Sequence, residues 1–213
     1  MEQDKKLDKS LQLNLQLLRQ INFDKAAGKT NTIFIFKIME MIVLLVMEAY
    51  LVGFIIKYFP DPAFSISAVI SMIFIGAGII SDVRQMTVII QLGSDNAAAV
   101  SAMQKKVEKL KLLIIGYVKW SFISIPFYPV FLILAGKIFL NIDFWAPHHR
   151  TYLLVNIVVG VLLLPIFIWL HKQLGKQNIE QVWVKNFLAG SGWNQAVSAQ
   201  QFLGEIEKFE QGE

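Results

Sequence analysis

The chain has 213 residues and a mass of 24.2 kDa, enough for one domain or two small ones, yet 55% of its residues are hydrophobic and its mean hydropathy is +0.52, too apolar for an ordinary water-soluble fold. Only 17% of residues are charged, the formal net charge is +4, and cysteine is absent, which excludes disulfide scaffolds, thiolate metal centres, CxxC redox chemistry and a cysteine nucleophile. The apolar residues fall into four long blocks, a pattern that excludes intrinsic disorder and points to lipid as the solvent.

Residues 1–32 read as a polar, amphipathic N-terminal segment. Leu7, Leu11, Leu15 and Leu18 share one helical face, although the alternation in LQLNLQL also fits a strand. So long a polar stretch ahead of the first apolar run excludes a cleavable signal peptide, and that run is expected to be retained. Gly28-Lys29-Thr30 imitates the end of a phosphate-binding loop, but Phe23 stands where the first glycine belongs and no strand precedes it.

A hydrocarbon core about 30 Å thick takes roughly 20 helical residues. Four runs meet that length, at 33–59, 63–92, 112–140 and 152–171, within a transmembrane domain covering 33–171. Each is apolar on every side, whereas barrel strands alternate over about ten residues. The fold class expected is therefore an all-α integral membrane protein, a four-helix antiparallel bundle with amphipathic helices on its cytoplasmic side.

In the first span, Glu48 lies about eight residues past the membrane boundary, or roughly 12 Å into hydrocarbon. Lys37 is three turns away on nearly the same face, with Glu40 some 60° off, so the span carries a polar stripe that should face the bundle. Glu48 fits three roles: glue between helices, a proton or cation pathway, or contact with a partner protein. Pro60-Asp61-Pro62 makes a tight turn into the second span, where Gly76-Ala77-Gly78 and Ser71 offer small surfaces for close helix approach.

Asp82, Arg84, Lys119 and His171 fall near the same boundary as Lys37, Glu40 and Lys172. Together they could form an ionic belt that fixes helix register or meets a lipid headgroup. Beyond the second span, 86–111 is expected to make a helical hairpin, with Val100, Met103, Val107 and Leu110 as its apolar stripe. Its Lys105, Lys106, Lys109 and Lys111 suit contact with anionic lipid headgroups, and the patch is too short to suggest nucleic acid.

Pro126, Pro129 and Pro165 interrupt the third and fourth spans, as packing kinks or as the broken helices that line a transport path. His148 and His149 are adjacent and should splay apart, with His171 across the membrane, so no three-histidine metal site is expected. The tail, 172–213, contains a Gly190-Ser191-Gly192 hinge and then Ser198-Ala199-Gln200-Gln201, a capping box that should open a helix carrying Phe202, Leu203, Ile206 and Phe209.

Lysine and arginine set the orientation. Six lie in the N-terminal segment, four in the loop between spans two and three and four in the tail, whereas the two opposite loops hold only Arg150, with Lys57 and Lys137 at their margins. Both termini should be cytoplasmic, in a cell membrane and most simply a bacterial inner membrane. Without a GxSxG elbow or a paired acidic motif, no catalytic residue, cofactor or metal is expected. The sequence therefore suggests a non-enzymatic accessory, regulatory or scaffolding protein that meets the bilayer and a partner protein or a second copy of itself. The alternative is a small ion or solute transporter using Glu48 and the proline-kinked spans.

Overall fold

The computed structural model describes residues 2–94, 100–175, 178, 179 and 181–211. The chain is 92% helical, with no strand among the described residues. Among the described residues the α-helices are, in order, α1 (Glu2–Lys57), α2 (Pro62–Ser94), α3 (Val100–Ser124), α4 (Tyr128–Leu140), α5 (Pro147–Gln173), α6 (Val182–Leu188) and α7 (Trp193–Gln211). Short 3-10 turns lie at Ile125–Phe127 and Ala189–Ser191. Four stretches are long and apolar enough to cross a membrane: Gln20–Lys57, Pro62–Gly93, Val100–Leu140 and Pro147–Gln173.

The LQLNLQL segment lies within α1, which resolves it as helix rather than strand. The side chains of Leu7, Leu11, Leu15, Leu18 and Phe209 lie outside the described residues. No break separates the polar segment from the first span. Thr30 and Thr32, which could have ended the helix, instead turn their hydroxyls back onto the carbonyls of Ala27 and Gly28 at 2.9 and 3.0 Å, so they do not compete with the backbone ladder.

The turn into α2 follows from its residues. Asp61 Oδ1 accepts the Ala63 amide at 3.3 Å, Pro62 occupies the first helical position where its missing N–H costs nothing, and Ser65 donates to the Tyr58 carbonyl at 2.8 Å. The prolines at 126 and 129 divide the third span into α3 and α4 through the 3-10 turn. By contrast, Pro165 stays inside α5. At the end of α4, Asn141 adopts the left-handed conformation at φ 52° and the Ile142 amide bonds to the Gly136 carbonyl at 3.0 Å.

The last helix starts earlier than the capping box suggests. Gly192, at φ 88°, ends the preceding turn and its carbonyl accepts the Ala196 amide at 3.1 Å, so α7 opens at Trp193 and Ser198 lies within it. A left-handed glycine stops one helix and starts the next more firmly than a serine six residues on.

The chain forms two compact units. Unit 1 comprises Met1–Ile38, Arg84–Ile114 and Leu188–Glu213. Its buried residues come from all three segments, including Ala26 and Ile33, Val100, Met103, Val107 and Leu110, and Trp193, Ala196, Ala199 and Leu203. Phe23, Ala27, Leu92, Val107 and Leu203 line one shallow apolar pocket, which brings α1, α2, α3 and α7 together. Unit 2 comprises Met39–Val83 and Ile115–Phe187 and is centred on Leu51, Phe54, Phe64, Ala68, Ile133, Leu134 and Leu153. Outside that cluster, α1 and α5 display many large apolar side chains, as helices surrounded by lipid do.

Candidate functional site

Within unit 2, polar side chains gather where α1, α2 and α3 carry small or aromatic neighbours. The Tyr117 hydroxyl donates to the Glu40 carboxylate. Its ring stands beside Gly78, where an added Cβ would lie 4.0 Å from Tyr117 and 3.4 Å from Leu44. Asp82, one helical turn beyond Gly78, is fully buried at 0% exposure and lies within electrostatic reach of Tyr117. Glycine at 78 gives the aromatic ring the space in which it reaches an acid on another helix.

Glu48 lies about two turns further along α1 than Glu40, in the same unit. Its Oε2 is buried with no hydrogen-bond partner, and its Oε1 lies 3.9 Å from the position a Cβ would take on Gly76. The carboxyl thus faces protein at the small-residue patch of α2. An acid without a partner in an apolar setting is costly to keep charged, so it is placed against protein and not against lipid.

The remaining boundary residues divide. Lys37 is buried at 4% exposure on the part of α1 that belongs to unit 1. Arg84 is exposed, because two residues along a helix turn the side chain about 200° from that of buried Asp82. In unit 2, His171 Nδ1 lies 3.3 Å from the Lys119 backbone carbonyl, where it acts as donor, a contact that does not involve the Lys119 ammonium. His148 and His149, expected to splay, instead have ring centres 4.0 Å apart at the start of α5.

The four lysines of α3 also have unlike surroundings. Lys105 and Lys109 are exposed. Lys106 donates to the Gln91 carbonyl at 3.0 Å, and Lys111 donates to Gln200 Oε1 at 2.8 Å while its ammonium lies 4.8 Å from the centre of the Trp193 ring. Lys111 thereby joins α3 to α7 inside unit 1. In the same unit, Lys25 lies 5.6 Å from the Phe202 ring centre.

Two groups were not singled out by sequence reasoning. Tyr117 carries no motif; its one sequence signal is a phenol at a depth similar to Glu40 in another apolar helix. Tyr128 and Asn156 form a second interhelical pair, with the Tyr128 hydroxyl 2.9 Å from Asn156 Oδ1 and 3.1 Å from the Asn156 carbonyl.

These features define an all-helical chain of the kind found in multi-pass membrane proteins, with four helices able to span a bilayer. Comparison with protein-family models, with curated proteins and with solved structures finds no match.

Proposed function

We propose that the protein is a non-enzymatic accessory or scaffolding component of a membrane assembly, and that unit 1 is its working part. The observation that carries this reading is the packing of unit 1 itself. Three separated stretches of chain contribute to its buried residues, and Lys111 clamps α7 to α3 through Gln200 and Trp193. Loose connecting loops would not need that investment in order, whereas a surface for another protein or a second copy does.

In this reading the four spans form an antiparallel bundle with both termini and unit 1 in the cytoplasm, most simply at a bacterial inner membrane. The lysine and arginine distribution supports that orientation. A photo-cross-linker placed at exposed Lys105 or Glu205 in native membranes should give discrete adducts with a partner or a second copy. Uncross-linked monomer at both positions, together with a lone monomer after purification in mild detergent, would overturn the proposal.

A second reading is favoured by one observation, the unpartnered buried oxygen of Glu48. Here the protein is a small ion or solute transporter using Glu48 and the proline break at Ile125–Phe127. Flux into liposomes that is abolished by Glu48→Gln would favour this reading over the accessory one.

A further inference from the structure

Lys57 ends α1 and Lys137 lies in the last turn of α4. Both ammonium groups converge on one ring. Lys57 Nζ is 5.2 Å from the Tyr58 centroid, and Lys137 Nζ is 5.5 Å from the same centroid and 5.3 Å from that of Phe64. The two nitrogens can therefore be no more than about 11 Å apart, the sum of their distances to Tyr58. That separation is close to the screening length of about 10 Å in 0.1 M salt, so each lysine feels the other's charge.

Among the described residues no carboxylate forms an ion pair with either lysine, and neither makes a hydrogen bond. The nearby turns do contain Asp61 and Asp143, but their Oδ1 atoms accept the amides of Ala63 and Trp145 at 3.3 and 2.8 Å. An aromatic face attracts a cation only weakly and leaves most of the three N–H donors of each ammonium unused. The Tyr58 hydroxyl likewise makes no hydrogen bond within the described residues. Helix C-termini favour a cation, which accounts for each lysine singly and not for their meeting at one ring.

The surroundings indicate what anion fits. Phe59 and Phe139, 76% and 80% exposed, lie two residues beyond Lys57 and Lys137, where the first and third apolar stretches end. Charged donors at the ends of long, exposed apolar helices match a molecule with a phosphate head and hydrocarbon tails. We propose that Lys57, Lys137 and the Tyr58 hydroxyl bind the phosphate of an anionic phospholipid in the leaflet at the Pro60 end of unit 2. The site rests on the apolar helices crossing a bilayer and is independent of the accessory role of unit 1.

The test uses the full chain purified in neutral detergent, with retained lipid read by native mass spectrometry and folding by the thermal midpoint. Phosphatidylglycerol should be retained about thirtyfold over phosphatidylcholine, roughly fivefold for each of the two lysines. The variant K57Q/K137Q should bring that ratio near one, K57R/K137R should preserve it, and K29Q/K208Q, at exposed positions in unit 1, should leave it unchanged. Equal retention of the two lipids by the native chain would overturn the proposal, as would an undiminished preference in K57Q/K137Q. Inorganic phosphate that raised the midpoint as much as phosphatidylglycerol did would also overturn it, by showing a free-anion site. If K57Q/K137Q does not fold, K57Q alone, at an exposed helix end, should lower the ratio severalfold, and an unchanged ratio would sink the idea.

Discussion

The Glu48 carboxyl rests against Gly76, with Oε1 3.9 Å from where a Cβ would stand and Oε2 buried without a hydrogen-bond partner. A Cβ at that distance is in ordinary contact, so Gly76→Ala should be tolerated. Gly76→Leu must displace the carboxyl and should cost about 1–3 kcal/mol. Glu48→Met removes an unsatisfied buried oxygen and should leave stability unchanged or raise it by about 1 kcal/mol. Thermal unfolding in detergent measures all three, and a large loss for Glu48→Met would mean that the carboxyl has an essential partner.

Tyr117 and Glu40 make the other test of polar contacts in unit 2. Tyr117→Phe removes the donor and keeps the ring beside Gly78, so its cost reports the hydrogen bond, about 1.5–3 kcal/mol for a charged acceptor. Glu40→Gln added to Tyr117→Phe should cost less than the two single losses combined. Strict additivity in that double-mutant cycle would show that the pair is not coupled.

Gly160 of α5 meets the 3-10 turn directly, since a Cβ there would fall 2.6 Å from the Pro126 carbonyl oxygen and 3.3 Å from Pro129. Backbone cannot yield as a flexible side chain can. Gly160→Val should therefore part α5 from the turn and destabilise by about 2 kcal/mol. Gly160→Ala should already lower the thermal midpoint, and an unchanged midpoint would contradict the close approach.

Lys111 bears on unit 1. Lys111→Met keeps an apolar stem but loses the bond to Gln200 and the cation over Trp193, for about 1–2 kcal/mol. Faster proteolysis within 188–211 and a shifted Trp193 emission are expected. Lys105→Met, at an exposed position on the same helix, should change neither readout.

Sequence legibility followed the strength of the local signal. The apolar runs mark all four potential spans because about twenty consecutive apolar residues have few other solutions. The start of α7 was misplaced by five residues because the capping-box pattern says nothing about Gly192, whose left-handed backbone sets the boundary. The burial of Asp82 and the exposure of Arg84 follow from helical rotation, but which of the two faces protein depends on the neighbouring helices.

Composition and hydropathy alone thus determined the helical class, the four apolar stretches and the residues able to carry polar chemistry, because those depend on each segment's own residues. Tertiary structure decided that Tyr117 reaches Glu40, that Glu48 lies on Gly76, that Lys111 is held between Gln200 and Trp193, and that Lys57 and Lys137 share Tyr58. Apart from the adjacent Lys57 and Tyr58, these pairs join residues from different helices, up to 89 positions apart, where helical periodicity sets each face and only packing selects the partner.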